Sequence, residues 1–359
     1  MQGLTILHKT VAIISFTLSA AWAGAQVAHG SVETITVRGP SLSNNLNGDS
    51  ADRLVKVYLP PAYAREPSSR FPVVFLLHGY KGSGAQWMAN PERGLQIELD
   101  RAIAAGTIHN MIVVMPDAHT RTGGSFFVDS IADGNWETFI AYDLVAEIDT
   151  RYRTLPGAAS RGIAGHSMGG YGALRIAFDH PETFSSVYAL SPCCLAWEGD
   201  FSTRSVAWQT TLTFNSFDDF NSNRFMPQAF AAIAIAWSPD PSATPFHAAF
   251  PVKRTSAGAL EDVPTVRARW EANLLVTLAR NDVAKVRRLH AIAFDAGRSD
   301  QFTHIPLGEA DLDRLLNAEH IAHTFELYDG DHTSGMETRI VGKMLPFFSK
   351  NLQTALQSH

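Results

Sequence analysis

Short apolar runs separated by stretches of helical periodicity set the rhythm of this chain. Six runs, Val73–Leu77, Met111–Met115, Gly162–Ala164, Val187–Leu190, His290–Phe294 and Thr324–Tyr328, predict strands. Runs with no polar alternation suit strands covered on both faces, as in a parallel sheet. Two earlier segments, Glu33–Arg38 and Arg53–Leu59, alternate polar and apolar residues, and the second is closed by Pro60-Pro61. Helices are predicted over Pro91–Ala105, Trp136–Tyr152, Gly169–Phe178 and Asp311–His320. In the second of these, Phe139, Ile140, Leu144, Val145 and Ile148 share one face. Strand–helix alternation of this kind predicts an α/β domain, with a mostly parallel eight-stranded sheet and helices on both sides.

The interval from about 195 to 266 breaks the pattern. It is rich in Ser, Asn, Asp and Pro, yet it carries Trp197, Trp208, Phe214, Phe217, Phe220, Phe225, Phe230, Trp237, Phe246 and Phe250. A disordered linker would not hold so many aromatic rings. It reads as a cap-like insertion folded over the top of the sheet, with some rings facing a pocket and others packing its own small core.

Composition changes this picture at the N-terminus. Lys9 precedes the apolar run Val11–Ala21, followed by Ala21-Trp22-Ala23 and Ala23-Gly24-Ala25. A basic start, a short apolar stretch and small residues predict a signal peptide over residues 1–25 and a secreted or periplasmic protein, with one domain over 26–359. The run is shorter than the ~20 residues a membrane span needs. A formal charge of −6 without a basic run argues against nucleic acid or an anionic membrane as partner. The two cysteines, Cys193 and Cys194, are adjacent, so no disulfide framework is expected.

The candidate chemistry centres on Gly165-His166-Ser167-Met168-Gly169, a G-x-S-x-G turn between a strand and a helix. Such a turn would lift the Ser167 hydroxyl above the sheet and aim a helix N-terminus at any oxyanion formed there. Acyl transfer from a serine also needs a base and a group that orients the base. His332, in Asp329-Gly330-Asp331-His332 after the last predicted strand, is the expected base. For the acid, Asp295 and Asp300 compete on the loop after His290–Phe294, and position alone leaves both open. The oxyanion donors are expected to be the backbone N–H groups of Met168 and of Tyr80, in the loop His78-Gly79-Tyr80-Lys81-Gly82-Ser83-Gly84. No metal-binding motif is present; Asp117 and His119 read as loop-shaping residues, and no cofactor or metal is expected.

Leu76-Leu77-His78-Gly79, Met115-Pro116-Asp117, Gly134-Asn135-Trp136-Glu137-Thr138-Phe139, the stretch Gly165–Ala173 and Gly330-Asp331-His332 occur in order between about Val55 and Phe348. Together they resemble the esterase D-like putative esterase family, α/β-hydrolases that include feruloyl esterases, S-formylglutathione hydrolases and mycolyltransferases. The resemblance implies Ser167 as nucleophile and His332 as base, and it favours Asp300, the second aspartate of Asp-x-Gly-x-x-Asp, as the acid. The reading that follows is an exported serine carboxylesterase acting on an ester with an apolar or aromatic acyl group. Two alternatives are acyl transfer to a sugar or other alcohol, and a non-catalytic binding protein on the same fold.

Overall fold

In the computed structural model, which describes residues 28–88 and 94–354, the eight predicted strands pair into one sheet. They are β1 (Ser31–Arg38), β2 (Asp52–Leu59), β3 (Val73–Leu77), β4 (Ile112–Pro116), β5 (Arg161–His166), β6 (Ser186–Leu190), β7 (Ala291–Gly297) and β8 (Thr324–Tyr328). Their order across the sheet is β1-β2-β4-β3-β5-β6-β7-β8. The pairs β1·β2 and β2·β4 are antiparallel, and every pair from β4 to β8 is parallel. This is the mostly parallel eight-stranded sheet that the apolar pattern predicts.

The continuous apolar runs are explained by two cores. Val73, Phe75 and Leu77 of β3 pack on one face with Tyr171 and Leu174 of α2 (Met168–Asp179). Val74 and Leu76 point to the other face, against Leu95 and Leu99 of α1 (Leu95–Ala104) and against Leu345 and Phe348. Because successive strand side chains alternate faces, a strand buried on both sides has no polar position to reveal its period. Glu137, at the start of the helical run Trp136 to Arg151, accepts from Arg175 Nε of α2 at 2.7 Å and so braces that helix.

The bounds of one helix depart from expectation, and the interval 195–266 resolves into elements its pattern did not show. The helix predicted over Asp311–His320 is α4, His304–Ala318; it starts seven residues earlier and stops two sooner. Pro306 at its third position ends no helix there, because a first-turn residue has no intrahelical N–H bond to lose. The interval 195–266 contains Ala207–Thr211, Phe217–Asn221 and the long helix α3 (Phe225–Trp237). It also holds a hairpin, Val252–Arg254 with Leu260–Asp262, whose strands are too short to show a period. The segment predicted as a signal peptide, residues 1–25, lies wholly outside the described residues. Among the described residues no helix is long and apolar enough to cross a membrane.

The turn from β5 into α2 depends on two close approaches. A Cβ on Gly165 would collide with the backbone of Gly169, and one on Gly169 with the carbonyls of Leu77 and His78. Gly165→Ala should therefore cost about 1–3 kcal/mol of stability in urea unfolding, the usual penalty for overpacking. An unchanged unfolding midpoint would show that the helix does not need this approach.

Candidate active site

Parallel strands bring distant residues to one rim. Ser167 directly follows β5, Asp300 lies three residues past the end of β7, and His332 four past the end of β8. All three therefore emerge at the carboxyl edge of the sheet, where ligands bind in open α/β folds. Two bonds between the β7 and β8 loops hold them together: Arg298 N–H donates to Tyr328 O at 2.9 Å, and Ser299 N–H to Gly330 O at 3.0 Å.

Ser167 has φ 57° and ψ −117°, a conformation that costs a non-glycine residue about 1–3 kcal/mol. Its surroundings hold it there. Ser167 N–H donates to Leu190 O at 2.9 Å, and its carbonyl accepts from Tyr171 N–H at 3.0 Å and Cys193 N–H at 3.3 Å.

His332 Nδ1 and Asp300 Oδ2 are 2.8 Å apart, with both residues buried. The other Asp300 oxygen accepts from Phe302 N–H at 2.9 Å. Asp295 points elsewhere: its oxygens accept from Tyr188 Oη at 2.8 Å and from Arg339. Of the two aspartates that position leaves open, Asp300 is therefore the one beside the imidazole. Ser167 and His332 both line one open cleft of about 500 Å³, with Gly79, Tyr80, Lys81 and Phe302 among its other walls. No hydrogen bond joins the two side chains.

Two histidines that the sequence pattern did not single out support this arrangement. His78, fully buried, donates from Nδ1 to Gly79 O at 2.8 Å, while its Nε2 accepts from Ala118 N–H at 2.8 Å. It thereby ties the loop after β3 to the loop after β4. Burial holds it neutral, lowering its pKa to about 4. His166 donates from Nε2 to the backbone O of His332 at 3.1 Å, with the two rings 4.6 Å apart. Burial, then the neighbouring His332, lowers its pKa to about 3. The His78–Ala118 and His166–His332 contacts join residues far apart in sequence, so no local motif could announce them.

The loop after β3 is also fixed by Tyr80 Oη donating to Thr122 O and by Lys81 N–H donating to Gly123 O, both at 2.8 Å. The backbone N–H groups of Tyr80 and Met168 have no hydrogen-bond partner among the described residues. Asp117 and His119, read as loop-shaping, bond to each other at 2.9 Å through Oδ1 and the backbone N–H.

Beside Ser167 lies a narrow apolar slot lined by Phe126, Cys193, Cys194, Phe201, Met226, Phe230 and Ile233. Its free space is about 30 Å³, enough for little more than a water molecule. Phe225 forms part of its rim, with ring centroids 5.4 Å from Tyr80 and 5.2 Å from Phe302. Of the ten aromatic residues named in the interval 195–266, Phe225 and Phe230 face this slot. Trp197 stacks on Trp270 at 5.6 Å, and Phe214, Phe217 and Phe220 gather around Phe246 inside the segment itself. A larger cavity of about 870 Å³ opens near Trp197, Arg204 and Arg267, but Ser167, Asp300 and His332 take no part in it.

Comparison with known proteins bears on what this geometry belongs to. A family model described as a putative esterase matches residues 43–336. A protein of Xylanibacter ruminicola, named endo-1,4-beta-xylanase/feruloyl esterase, is 27% identical over 161 residues, which are 44% of this chain and 21% of that protein. An esterase of Mycobacterium tuberculosis is 35% identical over 133 residues, 37% of this chain and 27% of its own. The matched stretch is thus less than a third of either relative. Among solved structures, a ferulic acid esterase superposes with a TM-score of 0.62 at 21% identity, covering 90% of this chain and 99% of its own. An S-formylglutathione hydrolase from Agrobacterium tumefaciens gives 0.61 at 19% identity, covering 91% and 98%. At these identities the likeness establishes the fold, an α/β-hydrolase. With the family match running from residue 43 to residue 336 of 359, the chain belongs to the putative esterase family.

Proposed function

We propose that this protein is an exported serine carboxylesterase with Ser167, His332 and Asp300 as its triad. The observation that carries the reading is the 2.8 Å contact between Asp300 and His332 Nδ1, beside a cleft that His332 shares with Ser167. Ser167 Oγ attacks the ester carbonyl and His332 Nε2 takes its proton. Asp300 keeps the imidazole in the tautomer with its proton on Nδ1 and stabilises the imidazolium. The N–H groups of Tyr80 and Met168 bind the oxyanion, each such donor being worth about 2.7–4 kcal/mol of barrier. The alcohol leaves with the proton from His332, and water then attacks the acyl-enzyme with His332 again as base. The missing bond between Ser167 and His332 is compatible with this role, since catalytic hydrogen bonds often tighten only once substrate is bound.

The acyl group goes to the apolar slot and the alcohol to the open cleft. The interval 195–266 acts as a cap, because α3 supplies Phe225, Met226, Phe230 and Ile233 to the slot wall. With about 30 Å³ free, the slot accepts an aromatic or medium-chain acyl group only if its rim moves. Phe225 is the rim side chain best able to do so, being 39% exposed.

Ser167→Ala should abolish p-nitrophenyl ester turnover and fluorophosphonate labelling, and Asp300→Asn should lower kcat by about 10⁴. Asp295→Asn should keep most of the activity while losing stability. Turnover that survives in Ser167→Ala, or that is lost equally in both aspartate variants, contradicts the assignment. Phe225→Ala should raise kcat/KM for feruloyl or octanoyl esters by about tenfold relative to acetyl esters, within the range a single pocket contact gives. An unchanged chain-length profile would place the acyl group elsewhere.

The two buried histidines set an acid limit. In the unfolded chain each takes up a proton near pH 6.5, but in the fold only near pH 4 for His78 and pH 3 for His166. As pH falls below 6.5 the unfolded state binds more protons, so this contribution to stability is lost with acidification. The stability difference between wild type and His166→Gln, from urea unfolding, should therefore shrink from pH 7.5 to pH 4.5. A difference independent of pH would mean that His166 is not buried in its neutral form.

A further inference from the structure

Buried polar side-chain atoms without any hydrogen-bond partner are rare in folded proteins, and each calls for an explanation. Four of those among the described residues lie on adjoining segments: Asn47 Nδ2, Asp49 Oδ2 and both carboxylate oxygens of Asp133, the two aspartates near enough for the charge of one to act on the other. These residues line neither cavity that Ser167 lines, and they sit where the loop 44–49 meets the hairpin Asp129–Ser130 with Gly134–Asn135. Leu46 N–H donates to Ile131 O at 3.1 Å, and Asn47 N–H to Ala132 O at 2.8 Å. These bonds set Asn47 against the residue that precedes Asp133.

The backbone around the cluster is already satisfied. Asn45 closes the loop, donating from Nδ2 to Leu42 O at 2.9 Å and to Asp49 O at 2.7 Å, while its Oδ1 accepts from Asp49 N–H at 2.8 Å. Asp49 Oδ1 accepts from Arg121 N–H at 2.8 Å. Trp136 Nε1 donates to Asp133 O at 2.8 Å. What remains without a partner is oxygen-rich and deep: Asp133 is fully buried and Asn47 is 8% exposed. The nearby guanidinium of Arg53 acts on Asp49 through its charge but gives it no hydrogen bond. Its nitrogens donate to the carbonyls of Asp117, His119 and Ser50, and its guanidinium lies 4.9 Å from the Trp136 ring.

We propose that Asp49, Asp133 and Asn47 form a binding site for a hard divalent cation, Ca²⁺. A buried carboxylate with no donor is costly to keep charged, and a second carboxylate beside it raises that cost. A bound cation removes both penalties. Two carboxylates and a carboxamide turned to present its oxygen are the donor type that Ca²⁺ takes, with carbonyls and water completing six to eight ligands. Among the described residues no three His, Cys, Asp or Glu side chains gather as metal ligands, so the proposed site rests on two carboxylates, the Asn47 amide, backbone carbonyls and water. The site also touches the catalytic loops, since Arg121 precedes Thr122, whose carbonyl holds the Tyr80 hydroxyl. An ion there would stiffen the segment that carries the Tyr80 N–H.

The test uses the full chain after chelator treatment, with Tb³⁺ as a luminescent substitute for Ca²⁺ and the Trp136 indole as its energy donor. Tb³⁺ luminescence excited through tryptophan should appear, be competed by Ca²⁺ and resist equimolar Mg²⁺. Ca²⁺ at millimolar concentration should raise the Tm of the chelated protein by several degrees. Asn47→Ala should weaken Ca²⁺ binding about tenfold, and the double substitution of Asp49→Asn with Asp133→Asn should abolish both signals while circular dichroism reports a folded chain. Absence of sensitised luminescence together with a Tm indifferent to Ca²⁺ overturns the proposal. So does a signal that survives in the double variant. A double variant that simply melts higher, from a wild type that ignores Ca²⁺, assigns the cluster to bound protons and overturns it equally.

Discussion

The backbone at Ser167 is the constraint on which the rest of the site depends. A non-glycine residue at φ 57° and ψ −117° persists only if its neighbours over-determine it. Here they do so from three sides: the Leu190 carbonyl at the end of β6, the Cys193 amide beyond it, and the first turn of α2. Gly165 and Gly169 let strand and helix approach closely enough for that turn to form. The same approach puts the first amides of α2, Met168 among them, beside the Ser167 side chain. Strain at one residue thus places both the proposed nucleophile and half of the proposed oxyanion site.

The remaining parts are positioned through loops that depend on two neutral imidazoles. His78 ties the loop carrying Tyr80 to the loop after β4, and His166 fixes the backbone of His332. Neither ring can take a proton without losing an acceptor or entering a charge-hostile core. Asp295, buried with Arg339 and Tyr188, performs the corresponding task beneath the β7 loop. It anchors the loop whose tip presents Asp300. Two aspartates five residues apart thereby divide support from the chemistry proposed for Asp300.

Much of this was legible in the sequence, for physical reasons that can be named. Strands β3 to β6 are buried on both faces, so their apolar runs stand out without ambiguity. The elbow is legible because its glycines answer a steric demand within five residues. The choice between Asp295 and Asp300 was not legible from position, since both follow the predicted strand His290–Phe294 and only tertiary contacts separate them; the family resemblance alone favoured Asp300. The start of α4 was obscured by Pro306, which its first turn tolerates, and by Gly308 just beyond it, both of which weaken helical periodicity. His78 and His166 left no trace because their partners are backbone atoms, one of them 166 residues away. The rings of 195–266 announced a folded segment, but which of them face the slot depends on how α3 lies over Ser167.

The most direct measurement is a crystal structure of the protein after reaction with an alkyl fluorophosphonate. The account predicts phosphorus bonded to Ser167 Oγ, with the phosphoryl oxygen about 2.7–3.1 Å from the nitrogens of Tyr80 and Met168. It further predicts His332 Nε2 within hydrogen-bonding distance of Oγ, and the alkyl group in the slot under Phe225. Phosphorus on another residue, or a phosphoryl oxygen turned away from both amides, would contradict it.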